Sequence, residues 1–146
     1  YLYSYATTAQ AAKRAAQEVM KVVKPYRLRY PVIFDIEYER IYTGGSKQVN
    51  TDICKAFLAE VERAGYYAML YCSKVFLDSY LCPEQLTAYD KWIAQYASKC
   101  TSKHPHGIWQ YTGTGAVDGI TGNVDRNIAY KDYSAIIQRA GLNRGV

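Results

Sequence analysis

The run Pro31-Val32-Ile33-Phe34 constrains the fold more than any other stretch of this chain, because it is apolar at every position rather than at alternate ones. A strand with one face in water alternates, whereas a continuously apolar strand is covered on both faces, as in a parallel sheet flanked by helices. The remaining segments supply the helices that such a sheet needs. A strand is expected over 1–6 (YLYSYA). A helix then runs from a Thr7 or Thr8 cap to about Val23, with Ala11, Ala12, Ala15, Ala16, Val19, Met20 and Val23 on one broad face and Pro25 ending it. The strand YPVIFDIE and a Gly44-Gly45 loop lead to a second helix. Its expected cap is Asn50 or Thr51, its buried stripe Ile53, Phe57, Val61 and Ala64, and its stop Gly65. Further strands are expected over 66–72, 89–97, 107–113 and 122–130, with a short helix in KVFLDSYL and a last one in KDYSAIIQRAG.

Strands separated by helices imply right-handed crossovers and a mainly parallel sheet, so the chain reads as one α/β domain over 1–146. A (β/α) barrel of the TIM type closes with eight strands. Six strands give either a smaller open sheet or an irregular barrel without its first two βα units.

Composition excludes several classes. No window reaches the ~18 apolar residues of a membrane span, and no signal peptide is visible at the start. The net charge is +5, and six of the seven charged residues between Lys13 and Arg29 are basic. A solvated helix face explains that run, and no RNP-like motif, zinc finger or basic heptad points to nucleic acid. Cys54, Cys72, Cys82 and Cys100 have no C-x-x-C spacing. They are either free thiols or two disulfides, with Cys54 expected to be a small buried hydrophobe. Cys100, His104 and His106 make a poor metal set, because the histidines flank a proline and no acid is near. The glycine-rich TGTGAVDGITGN lacks the ending of a phosphate loop. Neither a metal nor a cofactor is expected. Sixteen tyrosines, each with an apolar face and a polar tip, suit an amphipathic ligand such as a sugar.

Chemistry concentrates where PVIFDIE ends. Residues two apart on a strand share a face. Ile33, Asp35 and Glu37 therefore project together, while Val32, Phe34 and Ile36 meet the helices. The two acids sit at the carboxyl end of the strand, where α/β barrels and open sheets place their active sites. An apolar setting and a neighbouring carboxylate both raise a carboxyl's pKa, leaving one acid protonated beside an ionised partner. Glycoside hydrolysis uses that division of labour. Glu39, one step further on, reads as a solvated loop acid.

Five segments then carry a resemblance: YLYSYATT, YPVIFDIE, TDICKAFLAEVERAGYY with LYCSK, YDKWIAQY, and GIWQYTGTGAVDGITGNVDRNIAYKDY. In order and spacing they resemble the family 25 glycoside hydrolases, bacterial and phage lysozymes that are N-acetylmuramidases. The resemblance implies an irregular (β/α) barrel. It implies Glu37 as general acid at the bond between N-acetylmuramic acid and N-acetylglucosamine, and Asp35 as the group that steers a substrate 2-acetamido nucleophile. Asp125 would help order the site. Tyr3 and Tyr71 match aromatic positions of the sugar cleft, and Trp92, Gln95, Trp109 and Gln110 belong to matching motifs. The implied partner is a peptidoglycan glycan strand, met outside the cell, in the wall, or at lysis by a phage enzyme. Neither nucleic acid nor membrane is implied. Family members begin with two more βα units, the first bearing an aspartate in a D-x-S context, and this chain opens at what looks like the third strand. A second chain or a further segment is therefore expected over the open sheet edge. A chitinase-type hydrolase is disfavoured because Tyr30 and Ile33 stand where its motif has aspartates. The rival from another class is an inactive, wall-binding lysozyme remnant.

Overall fold

The structure, a computed structural model, describes residues 1–144. Six strands form one sheet in sequential order: β1 (Leu2–Tyr3), β2 (Val32–Asp35), β3 (Ala68–Ser73), β4 (Asp90–Ala94), β5 (Ile108–Gly115) and β6 (Val124–Ala129). Pairing is parallel from β1 to β5, and β6 returns antiparallel along β5. The helices are α1 (Ala9–Val23), α2 (Glu39–Tyr42), α3 (Lys47–Arg63), α4 (Lys74–Tyr80) and α5 (Tyr133–Ala140), with a 3-10 turn at Pro83–Leu86. The fold is thus α/β, but the sheet does not close into a barrel: β1 pairs only with β2, and β6 only with β5. Among the described residues, no helix is long and apolar enough to cross a membrane.

Local chemistry explains most boundaries. Thr8 caps α1 by accepting the Ala11 N–H at 3.1 Å, and the helix ends before Pro25, which has no N–H to continue the hydrogen-bond ladder. Ser46, rather than Asn50 or Thr51, caps α3. The helix therefore starts a turn earlier than expected, and Asn50 is freed for burial. Its amide donates to the Tyr42 and Tyr80 carbonyls at 2.9 and 3.1 Å, stitching α2 and α4 to α3. Ala64, expected in the buried stripe, is instead the exposed C-cap, and the chain turns at Gly65 with φ +83°. The strand expected over 1–6 contracts to Leu2–Tyr3, since an edge strand has only one neighbour to lengthen it.

The two faces of the sheet differ. On one, Val32, Phe34 and Ile36 join Ala12, Ala16, Ile53, Phe57, Leu58 and Val61 in a closed core beneath α1 and α3. Phe34 and Phe57 stack with centroids 4.5 Å apart. Cys54 and Cys72 lie in that core as free thiols. On the other face Ile33, Met69, Tyr71, Ala94 and Ile108 meet Tyr133 and Ile137 of α5, which plugs the end where the parallel strands begin. The end where they finish stays open.

Asn143 fastens that plug. It is 1% exposed and takes φ +56°. Its N–H donates to the Gly65 carbonyl at 3.0 Å, its side-chain oxygen accepts the Tyr67 N–H at 2.7 Å, and its amide donates to the Tyr30 carbonyl at 2.9 Å. Asparagine is among the few residues that take left-handed geometry readily. Asn143→Ala is expected to lower unfolding stability by about 2–4 kcal/mol, through lost hydrogen bonds, stranded buried partners and unfavourable φ. Asn143→Gly should regain about 1 kcal/mol of that by relieving φ. Urea denaturation of the three proteins checks both, and equal losses in the two variants would contradict the backbone part of the account.

Candidate active site

Asp35 is the last residue of β2 and is held on both sides by the sheet, opposite Tyr3 in β1 and Tyr71 in β3. Its carbonyl accepts the Ser4 N–H at 2.9 Å, and the next N–H, of Ile36, donates to the Tyr71 carbonyl at 3.1 Å. Ile36 is fully buried on the helix side. Alternation therefore turns Asp35 toward the other face, and with it Glu37, where the chain has left the ladder.

The Asp35 side chain is 4% exposed, and its Oδ1 has no hydrogen-bond partner among the described residues. Burial, and secondarily the charge of Glu37, raise its pKa to about 7. Glu37 is half-buried, and its pKa is raised by burial first and by Asp125 second. The Tyr71 hydroxyl lies close enough to oppose that rise. Its proton, however, is directed at Gln110 Oε1, 2.9 Å away, and one phenol has one proton to give, so we assign it to Gln110. The deeper acid thus holds its proton to near-neutral pH, whereas the resemblance gives the acid's role to Glu37.

Tyrosines and Gln110 surround the pair. Gln110 is 2% exposed, and its Oε1 accepts from both Tyr71 and Tyr96, the latter at 3.1 Å. Burial and the carboxylates Glu37 and Asp35 push the Tyr71 phenol well above its ordinary pKa, so it remains a proton donor. Asp125 comes in from β6. Its charge acts on Glu37, Tyr71 and Tyr96. Gly113 makes room for this approach: a Cβ there would stand 2.9 Å from the Tyr96 hydroxyl and 3.3 Å from Asp125 Oδ1. On the β1 side, Tyr3, Tyr5 and Tyr38 form a triangle with ring centroids 5.3, 6.4 and 5.2 Å apart. The Tyr3 phenol is raised by burial and then by Glu37 and Asp35, which places it beside both acids.

The structure therefore brings together Asp35, Glu37, Asp125, Tyr3, Tyr71 and Gln110 of the expected residues. Trp92 stands behind them. Its ring lies edge-on to Tyr71 at 4.8 Å, and its N–H donates to Asn127 Oδ1 at 2.8 Å, so it braces Tyr71. Trp109 does not join the site. One residue out of phase with Gln110 on β5, it faces the opposite side, 7% exposed, and its N–H is spent on the Gln95 carbonyl at 2.8 Å. The Gln95 amide is also engaged elsewhere, tied at both ends to Thr101 at 2.9 and 2.8 Å. Gln95 does line a hollow of about 410 Å³ with Tyr96, Ser73 and Ala94 at the open end of β3 and β4. Sequence reasoning missed Tyr5, Tyr38 and Tyr96. Tyr5 was within reach, since it repeats Tyr3 at strand spacing, whereas Tyr38 needed α2 to be foreseen.

His104 and His106 lie apart from this site. His104 Nε2 is 3.2 Å from Asp78 Oδ1, and His106 Nδ1 faces the His104 carbonyl at 2.9 Å. Among the described residues, no three histidine, cysteine or acidic side chains are grouped to hold a metal. Glu39 is exposed in the first turn of α2.

With this geometry in view, the comparisons with known proteins are specific. Residues 1–120 match Glycosyl hydrolases family 25, and the chain belongs to that family. Asp125 lies past the matched stretch. The CTP1L endolysin is similar in structure, with TM-score 0.75 and 25% identity over 94% of this chain and 49% of that one. The modular autolysin LytC from Streptococcus pneumoniae gives TM-score 0.73 and 26% identity over 87% of this chain and 32% of its own. The modular Cpl-1 endolysin, solved with a peptidoglycan analogue, shares the fold at TM-score 0.66 and 23% identity over 87% of this chain and 37% of that one. The chain thus spans about half the length of these proteins or less. No curated protein matches it significantly.

The raised pKa of Asp35 has a thermodynamic consequence. A carboxyl that binds its proton more tightly when folded contributes stability fully present below its unfolded pKa, lost as pH rises through the folded value. For Asp35 that window runs from near 3.8 to about 7. The difference amounts to about 4 kcal/mol at 1.36 kcal/mol per unit. Asp35→Asn, which cannot ionise, should match wild type near pH 4 and exceed it by up to about that amount at pH 8. Denaturant unfolding at pH 4, 6 and 8 checks this, and parallel pH profiles for the two proteins would refute the burial argument.

Proposed function

We propose that this domain hydrolyses the β-1,4 bond between N-acetylmuramic acid and N-acetylglucosamine in peptidoglycan, with the substrate's 2-acetamido group as nucleophile. The observation that carries the reading is the unpartnered, buried Oδ1 of Asp35 beside the half-buried Glu37. Buried polar atoms are almost always satisfied, so an orphan acceptor at the open end of a sheet suits a donor that arrives with the ligand. An acetamido N–H is such a donor. Family membership supports the hydrolase class, and the Cpl-1 endolysin has been solved with a peptidoglycan analogue. The glycan strand is the proposed partner, met outside the cell, in the wall, or at phage-driven lysis.

The steps follow from the two acids. An N–H bonded to Asp35 stabilises its ionised form and lowers its pKa, while a sugar covering Glu37 excludes water and raises that of Glu37. The shared proton then resides on Glu37 in the complex. Glu37 delivers it to the departing glycosidic oxygen as the acetamido oxygen attacks the anomeric carbon, and Asp35 holds the N–H whose positive character grows as the oxazolinium ring closes. Water, deprotonated by the Glu37 carboxylate, opens the ring with overall retention. This is the substrate-assisted exception to the two-carboxylate scheme. Asp125 keeps the Glu37 proton in place by like-charge repulsion, and Tyr3, Tyr5 and Tyr38 offer ring faces to the sugar.

A second reading, a remnant that binds wall glycan without cleaving it, draws on the single-neighbour edge of β1 directly beside Tyr3 and Asp35. Turbidity of purified Gram-positive cell walls separates the two. Wild type should clear them, and Glu37→Gln should be slower by about 10²–10⁴-fold, the usual weight of a positioned acid. Equal clearing by both proteins removes Glu37 from that role. No clearing by wild type, with the protein still pelleting on walls, establishes the remnant.

The pH profile supplies a further test. In the free enzyme the Asp35–Glu37 pair loses its shared proton near pH 7, so kcat/KM should fall above that value, with an apparent pKa belonging to the pair. A profile flat from pH 6 to 9 contradicts the shared proton.

A further inference from the structure

We propose that the end of the molecule opposite the acids carries a second binding site, for a polyol-phosphate chain, formed by Arg27, Arg29 and Arg144. These arginines line one cleft of about 370 Å³ between the α1–β2 loop, α5 and the final segment. Ser134 and Gln138 of α5 add two polar side chains to its wall, and Leu28, Ile137 and Leu142 give it an apolar floor.

The convergence is built rather than incidental. Asn143 anchors the final segment to the Gly65 and Tyr30 carbonyls and to the Tyr67 N–H, which sets Arg144 beside the loop bearing Arg27 and Arg29. Tyr30 packs on Tyr133 with centroids 6.1 Å apart, fixing that loop against α5. Three positive side chains lining one opening give it a potential that favours an anion. Among the described residues, none of the three has an ion-pair partner and no acid lines the cleft. Two acids around α5 are engaged elsewhere: Asp132 accepts the Ala135 N–H at 2.9 Å as the α5 cap, and Asp90 is paired with Lys131.

Guanidinium forks match phosphate oxygens two at a time, which makes arginine the residue of choice for such anions. The aliphatic floor favours a chain of phosphates joined by short polyols over single-stranded nucleic acid, whose bases need aromatic platforms. Identifying the chain as a wall polymer rests on the wall-hydrolase reading, while the anion site itself does not. Sitting at the opposite end of the sheet from Asp35, it leaves the glycan cleft free, so a wall carrying such chains would hold the domain during hydrolysis.

The test uses a fluorescent glycerol-phosphate oligomer and the 146-residue chain. Arg27→Gln/Arg29→Gln/Arg144→Gln should bind it at least about tenfold more weakly, with the log–log salt slope smaller by about 2–3, roughly one per lost phosphate contact. Lys13→Gln/Lys99→Gln/Lys103→Gln removes the same charge elsewhere and should keep the wild-type slope within about one. All six side chains are exposed. Should the triple variant unfold at a lower temperature, Arg27→Gln alone is read instead, with about threefold weaker binding expected. Equal losses in the arginine and lysine variants reduce the effect to diffuse charge and overturn the site. Single-stranded DNA of equal charge binding as tightly as the oligomer overturns the polyol-phosphate assignment. Hydrolysis of walls stripped of phosphate polymers by hydrofluoric acid should be the same for wild type and the arginine variant. Absence of hydrolysis in both counts against the muramidase reading and leaves the binding result to be judged separately.

Discussion

The structure turns on the position of Asp35, a carboxyl fixed by backbone hydrogen bonds on both sides, whose Oδ1 finds no hydrogen-bond partner among the described residues. Its contrast with Asp90 shows what this means. Both lie on the same face of the sheet, one at the end of β2 and the other at the start of β4. Burial pushes the Asp90 pKa up, but Lys131, Tyr133 and the Lys91 N–H all bond it, and the net result lies below the ordinary value. That is a structural acid, satisfied and ionised, which ties α5 to the sheet. Asp35 is buried more completely and lacks those donors, and its pKa is pushed up to about 7. The pairing of a settled aspartate at one end with an unsettled one at the other orients the domain: it is closed where strands begin and open where they finish.

That polarity requires the helix-side core to bear most of the stability. Phe34, Ile36, Phe57, Leu58 and Leu70 are all fully buried there. The opposite face can then hold a buried carboxyl, a buried amide and several phenols without the fold depending on them. Gln110 illustrates the trade. Of the phenols that bond its oxygen, Tyr71 comes from β3 and Tyr96 from just past β4, so it fixes two side chains from different elements at once. Active sites commonly hold such locally unfavourable arrangements against a stable scaffold.

Much of this was legible before any coordinates. The alternation of Val32, Phe34 and Ile36 against Ile33, Asp35 and Glu37 follows from strand periodicity, and the two cores divide these residues accordingly. The parallel order of β1 to β4 follows from the intervening helices, whereas residues 95–107 join β4 to β5 without one. Less legible were features set by long-range partners. Asn50 has the chemistry of a helix cap, and only the positions of Tyr42 and Tyr80 reveal that its amide is needed inside. Trp109 and Gln110 are adjacent in one motif, so nothing short of strand phase separates the residue that faces the site from the one that does not. Sheet closure was also beyond the sequence, since six strands of the right length serve an open sheet as well as part of a barrel.

The antiparallel return of β6 explains the arrival of the third acid. In a parallel strand, residues at the carboxyl end reach the open mouth, and an acid near the beginning of a strand would be carried to the opposite end. Asp125 is the second residue of β6. Because β6 runs against β5, with Gly115 beside Val124 and Ile108 beside Ala129, its beginning lies at the mouth. Irregular register between Gln110 and Gly115 lets the two strands stay paired through this approach, and Gly113 leaves the space that a side chain would have taken from Asp125 and Tyr96. A reversed strand thus delivers from its first residues what β2 delivers from its last. Asn127, two residues on and on the same face, secures the delivery by holding the indole of Trp92 behind Tyr71. The charge felt by Glu37 is therefore governed by strand direction as much as by residue type. A β6 turned parallel would carry Asp125 away from Glu37, and would remove the like-charge repulsion that raises the Glu37 pKa after burial.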